Sequence, residues 1–140
     1  MNGILMDGTT YNVRVVYNSL VRSFELRSGE NEDYMISGRH ERDLLGTGYA
    51  YQMAVEPDLA HPEDYDAFYE AISAPVPSHK ITMPYGQGTL EFDAEILGGE
   101  DRLLGKLSGV NRWTGLVVDF QPLSLQRKPT YGGFHEQADL

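Results

Sequence analysis

Twelve residues, His61-Pro62-Glu63-Asp64-Tyr65-Asp66-Ala67-Phe68-Tyr69-Glu70-Ala71-Ile72, hold the densest group of chemically able side chains in the chain. A histidine beside Glu63, Asp64, Asp66 and Glu70 could bind a metal ion or exchange protons with a substrate. The spacing argues against both. His40, His61, His79 and His135 stand far apart, and none forms the i, i+4 pair of a zinc-binding HExxH helix. No Asp/Gly loop follows the calcium-binding pattern. A histidine just before a helix start is the simpler reading of His61, and His79 reads as a half-buried residue at a strand start.

Nucleophilic chemistry has no better support. There is no cysteine, which removes thiol catalysis, disulfides and cysteine-ligated zinc or iron–sulfur sites. Gly105-Lys106-Leu107-Ser108-Gly109 carries its serine at the wrong place for a GxSxG elbow. The pairs Gly46/Gly48 and Gly86/Gly88 lack the third glycine of a phosphate-cradling loop. Glycosidases set two carboxylates across a cleft. Glu91, Asp93 and Glu95 instead share one face of one strand. The expectation is a chain with no catalytic residues, no metal ligands and no cofactor.

The elements around these residues follow from periodicity. Tyr65, Phe68, Tyr69 and Ile72 recur at i, i+3, i+4 and i+7, one apolar stripe of an α-helix over about 62–73. Pro62 suits the first helical position, Glu63 and Asp64 suit the positive end of the helix dipole, and Pro75 and Pro77 stop the helix. Almost everything else alternates with a period of two. Tyr11, Val13, Val15 and Tyr17 share a face, as do Leu20, Phe24 and Leu26 in the next segment. Tyr49, Tyr51, Met53 and Val55 form another set, followed by Ile81, Met83 and Tyr85. Leu90, Phe92, Ala94 and Ile96, then Leu116, Val118 and Phe120, complete the pattern. Such strands are antiparallel and half buried. Asp7-Gly8 marks a hairpin. Segments 28–31, 46–48, 85–88 and 98–101 read as turns or loops. Pro84 and Pro122 belong at strand ends or edges. The fold class is mainly β (α+β), an antiparallel β-sandwich or partly closed barrel with one short helix. Residues 1–127 form a single domain, and 128–140 an extended C-terminal arm.

The 140 residues suit one domain, and an apolar content of 41% is enough for a core. No apolar run is long enough to span a membrane, and the first residues lack the pattern of a secretory leader. Synthesis in a cytoplasm is the expectation. A formal net charge of −10 disfavours specific nucleic-acid binding, which needs clustered lysine and arginine.

Partner binding is the function class the composition favours. Nine tyrosines and one tryptophan are residues that bury area while keeping a polar handle. Segment 29–44 sets Tyr34, Met35 and Ile36 among charges that include Arg39 and Arg42, the anatomy of an interface. A loop over 98–111, Trp113, and the arm with its anchors Tyr131 and Phe134 are the other expected subunit contacts.

Three stretches carry a resemblance: Ile4-Leu5-Met6-Asp7-Gly8 with Tyr11-Asn12-Val13, SAPVPSHKITMPYGQGTLEFDAEI, and RWTGLVVDFQPLSLQR. They resemble small structural proteins of tailed-phage and prophage clusters in Firmicutes, of the tail-tube, tail-terminator and tail-adaptor group. Trp113 to Pro122 is the most specific part, and the likeness covers residues 1 to about 127. It implies a tail-tube-like β-sandwich flanked by a helix, with arms reaching neighbouring subunits. It further implies a homo-oligomeric ring, contacts with other tail proteins, and a place in the virion tail around a channel that DNA traverses. In such a ring the acidic row Glu91, Asp93, Glu95 would face the lumen. Two other classes stay open on the residues alone. One is a small barrel binding an apolar or sugar-like ligand against its tyrosines. The other is a hydrolase pairing His79 or His61 with a carboxylate in a concave pocket.

Overall fold

The computed structural model describes residues 2–28, 33–34, 40–41 and 44–128. The chain divides into two compact units, one of residues 1–23 and 50–123, the other of residues 24–49 and 124–140.

The first unit is a closed antiparallel barrel. Its strands are β1 (Asn2–Met6), β2 (Thr9–Val15), the later half of β6 (Leu44–Pro57), β7 (His79–Tyr85), β8 (Gly88–Glu95) and β11 (Leu116–Pro122). They follow the order β11-β8-β7-β1-β2-β6, and β11 also pairs with β6, so the sheet closes on itself. Closure removes the free edges an open sheet would leave. A further strand, β3 (Val21–Ser28), lies outside the ring of six as a neighbour of β6. Two short strands, β4 (Asp33–Tyr34) and β5 (His40–Glu41), pair with each other. A separate two-stranded ribbon forms from β9 (Arg102–Leu107) and β10 (Val110–Thr114).

Alternation explains which residues face inward. Along β6 the buried residues are Tyr51, Met53 and Val55, and on β11 they are Leu116, Val118 and Phe120. The register puts them opposite one another: Leu116 against Val55, Val118 against Met53, Phe120 against Tyr51. Ile4, Met6, Val13, Val15, Ile81, Met83, Phe92 and Ala94 complete the wall. Each such valine, leucine, isoleucine, methionine or phenylalanine contributes about 1.5–3 kcal/mol by leaving water. Tyr51 stacks on Phe92 with ring centroids 5.9 Å apart and donates its hydroxyl to the Pro84 carbonyl at 2.8 Å. The barrel interior is thus filled by side chains.

The helix α1 runs Pro62–Ile72, one residue short of the expected end. Its stripe is buried as expected at Tyr65, Phe68 and Ile72, while Tyr69 is half-buried. Phe68 meets Tyr11 of β2 edge to face at 5.7 Å, and Asp64 accepts a hydrogen bond from the Asn12 backbone N–H at 2.7 Å.

Tight turns link the hairpins. Asp7 and Gly8 both have positive φ, 53° and 81°, between the paired residues Met6 and Thr9. That is the primed turn whose twist suits a hairpin. Ser108 and Gly109 repeat this geometry between β9 and β10.

Four expectations are corrected. Tyr17 is 95% exposed, not on the Val13/Val15 face, because β2 ends at Val15 and Asn18 turns the chain with a φ of 66°. Phe24 and Leu26 are exposed, because both faces of β3 are open to water and neither covers a core. Residues 46–48 are not a loop but part of β6. Segment 98–111 is not a loop throughout, since it contains β9 and the start of β10.

In the second unit the start of β6 is held by residues 125–127. Thr47 bridges to Arg127, with the Thr47 N–H on the Arg127 carbonyl at 2.9 Å. The Gln126 side chain accepts from the Tyr49 N–H at 2.8 Å and donates to the Tyr49 carbonyl at 2.9 Å, an amide taking the place of a strand neighbour. Gly46 has a φ of 145°, and a Cβ there would collide with the Arg127 carbonyl oxygen. Glycine is what lets the two backbones approach.

Candidate functional site

A large groove lies within the barrel unit, between the β9–β10 ribbon and the barrel. This groove of about 880 Å³ is lined by Arg14, Glu56, Pro57, Asp58 and Leu59 on one side. Leu104, Gly105, Lys106, Leu107, Arg112, Trp113 and Thr114 form the other. Its size is that of a ligand site.

Local sequence sets its shape. Gly105 pairs with Arg112 and Leu103 with Trp113, so Leu104 is an extra residue in β9. Such a bulge bends a strand and increases its twist. Gly105 takes a φ of 150° there. Leu104 is 71% exposed, and Leu59 and Leu107 are also exposed, so the walls carry apolar surface in water. At the ribbon's foot the Thr114 hydroxyl donates to Glu56 at 2.7 Å.

The groove also gathers cations in an acidic chain. Among the described residues Arg14, Lys106 and Arg112 form no ion pair. The Nε of Arg112 is buried without an acceptor. The two carboxylates of the lining have local partners, Glu56 as above and Asp58, which accepts from the Ala60 N–H at 3.0 Å. A second groove of about 460 Å³ shares Pro57, Leu59, Arg112 and Trp113 and adds Glu63, Tyr65 and Asp66 from the helix. Inside it the buried Tyr65 donates its hydroxyl to Asp101 at 2.7 Å. Burial, then that carboxylate, holds the phenol's pKa well above its ordinary value.

Two of the expected site features are placed by this geometry. Trp113 is half-buried on β10 and forms part of the wall of both grooves. Glu91 and Asp93 are exposed on β8 and Glu95 is half-buried, on the strand face opposite Phe92 and Ala94. Lys80 on the neighbouring strand lies 4.0 Å from Glu91 and 3.9 Å from Asp93, which tempers the row. Tyr34 falls in β4. Met35, Ile36, Arg39, Arg42, Tyr131 and Phe134 lie outside the described residues.

His79 is buried and does have a carboxylate partner. Its Nδ1 lies 2.6 Å from Asp7 Oδ2, while Asp7 Oδ1 accepts from the Lys80 N–H at 2.8 Å. Neither residue lines either groove above or a third one beside Tyr69 and Ile72. His61 precedes the helix, exposed, and makes no side-chain cap. Among the described residues no group of three or more histidine, aspartate or glutamate side chains is placed to hold a metal ion. Among them, too, no helix is long and apolar enough to cross a membrane.

The groove was not foreseen, since Arg14, Lys106 and Arg112 converge from distant segments. The run Leu103-Leu104-Gly105 offered the one signal, two adjacent leucines that no single-faced strand can bury together. No protein-family model matches the chain, and no curated protein matches its sequence.

Proposed function

We propose that this chain is a non-enzymatic structural component of a phage or prophage tail, which assembles with copies of itself or joins other tail proteins around a DNA channel. The observation that carries the assembly part is the apolar surface left in water on two strand elements outside the barrel ring. Val21, Phe24 and Leu26 are exposed on β3, and Leu103, Leu104, Leu107 and Val110 on the β9–β10 ribbon. Apolar side chains concentrated on strands are surfaces that partners cover. The closed barrel has its interior filled, which suits a firm scaffold for contact elements. The tail assignment rests on the resemblance of the three sequence stretches. It is consistent with a net charge of −10 and the exposed carboxylates Glu91 and Asp93, which would keep a passing polyanion from adhering to a channel wall.

Light scattering across concentration, on the full chain and on a chain ended after Arg127, tests this reading. The expected result is a closed oligomer that the shortened chain forms less readily. A full chain that stays monomeric at every concentration, alone and with other phage tail proteins, overturns it. Micrographs of an assembled ring test the channel: one whose lumen is lined by neutral or basic residues removes the role given to Glu91, Asp93 and Glu95.

A further inference from the structure

Three cationic side chains and two carboxylates, Glu56 and Asp58, line one groove in a chain with 21 acidic residues against 11 lysines and arginines, and Thr114 and the Ala60 N–H engage the carboxylates. Arg14 comes from β2, Lys106 from β9 and Arg112 from β10. A charged donor buried without an acceptor carries a desolvation cost that an incoming anion offsets. Arg112 is such a group, through its Nε. Leu59, Leu107 and Trp113 share the lining with the cations, so the surface suits a ligand that is anionic and apolar at once. The second groove continues past Leu59 and Trp113, giving a trough longer than a compact anion needs. There the added side chains include Glu63 and Asp66, which repel an acidic group and so fix the direction in which a chain could lie.

We infer that this trough binds an extended acidic peptide segment of a partner protein. Its aspartate or glutamate side chains meet Arg14, Lys106 and Arg112 through charge-assisted hydrogen bonds, and an apolar side chain packs against Trp113 and Leu59. The charge pattern sets specificity, and the apolar contact supplies the buried area. The inference rests on the groove and is independent of the tail assignment.

Trp113 is the chain's one tryptophan, so its fluorescence reports on the groove directly. The probes are capped peptides of alternating aspartate and leucine, aspartate and serine, and lysine and leucine, each titrated into the full chain. The expected result is a saturable change in Trp113 emission with the aspartate–leucine peptide, stronger than with the other two and weakened by salt. Arg112→Gln is expected to weaken binding about tenfold, and Lys106→Glu, on an exposed side chain that the fold does not need, several-fold. Equal binding of the lysine–leucine peptide, equal binding of the aspartate–serine peptide, or no change in emission overturns the proposal. A concentration-dependent emission change without peptide that also abolishes the response to the aspartate–leucine peptide assigns the groove to a second copy and overturns it too.

Discussion

Asp7 and His79, 72 positions apart in the chain, meet side chain to side chain at 2.6 Å. Asp7 occupies the first position of the β1–β2 turn, and His79 begins β7. The same carboxylate takes the Lys80 N–H, and the Asp7 N–H donates to the Lys80 carbonyl at 2.7 Å. One turn residue therefore fastens the first hairpin to the third strand of the sheet. Partial burial raises the Asp7 pKa, but the hydrogen bonds from His79 and Lys80 and the charge of His79 together outweigh it, leaving the carboxyl below its ordinary 3.8. A depressed folded-state pKa means stability that is present above the unfolded value and lost as pH falls through the folded one.

Asp7→Asn is accordingly expected to lower stability at neutral pH by at most about 1 kcal/mol, because nearly half of the carboxylate side chain is in water. Asparagine tolerates the positive φ, so the loss comes from the carboxylate and not from the turn. The gap from the parent protein should close below pH 3.8 as the parent's carboxylate is protonated. Urea denaturation across a pH series measures both effects. A gap that persists in acid would place the loss elsewhere.

Tyr65→Phe removes the donor to Asp101 while keeping the ring that the core requires. The expected loss is about 1.5–3 kcal/mol, the range for hydrogen bonds to charged groups. The raised phenol pKa gives the opposite sign to Asp7: its stabilisation is present below the ordinary value of 10.0 and declines as pH rises above it. The variant should show a shallower alkaline decline than the parent in the same denaturation series.

Gly46→Ala puts a Cβ against the Arg127 carbonyl and forces alanine to a φ that L-residues rarely adopt. Trypsin cleavage after Arg127 should be markedly faster in this variant. Gln126→Ala, which loses two hydrogen bonds to Tyr49 without a clash, should show a smaller increase. Equal rates in all three proteins would mean that this pairing does not protect the segment.

Phe24→Thr keeps a strand-forming residue on β3 and removes a side chain that is 70% exposed. Thermal unfolding should move little, within about 0.5 kcal/mol for a surface change. Assembly measured by light scattering should weaken. Phe68→Ala is the contrast: that ring is fully buried, and its loss should cost about 3–5 kcal/mol in unfolding measurements.

The barrel was legible where alternation and core burial coincide. Met53/Val55, Ile81/Met83 and Leu116/Val118/Phe120 all face inward as their spacing requires, and Asp7-Gly8 turns where it should. The helix stripe was legible for the same reason, at a different period. The pattern misled at Phe24 and Leu26, because alternation gives a strand two faces but does not say that either one has a core to cover. The β9–β10 ribbon was missed because the extra residue Leu104 breaks the period of two. Gly46 read as punctuation, yet it is a strand residue chosen for close backbone approach. The Asp7–His79 contact and the convergence of Arg14, Lys106 and Arg112 depend on long-range pairing, which no local spacing records.

Closure of the barrel also orders events as the chain is synthesised. The last stave, β11, pairs with β6 and β8, both made earlier. Until residues 116–122 leave the ribosome, β6 and β8 each wait with one edge unmatched, and Tyr51 waits for Phe120. Contacts of such sequence separation form slowly, and waiting strand edges invite pairing with other chains. A newly made molecule is therefore most open to misassociation just before β11 emerges, and chaperone capture should peak on chains whose residues 116–122 have not yet left the ribosome.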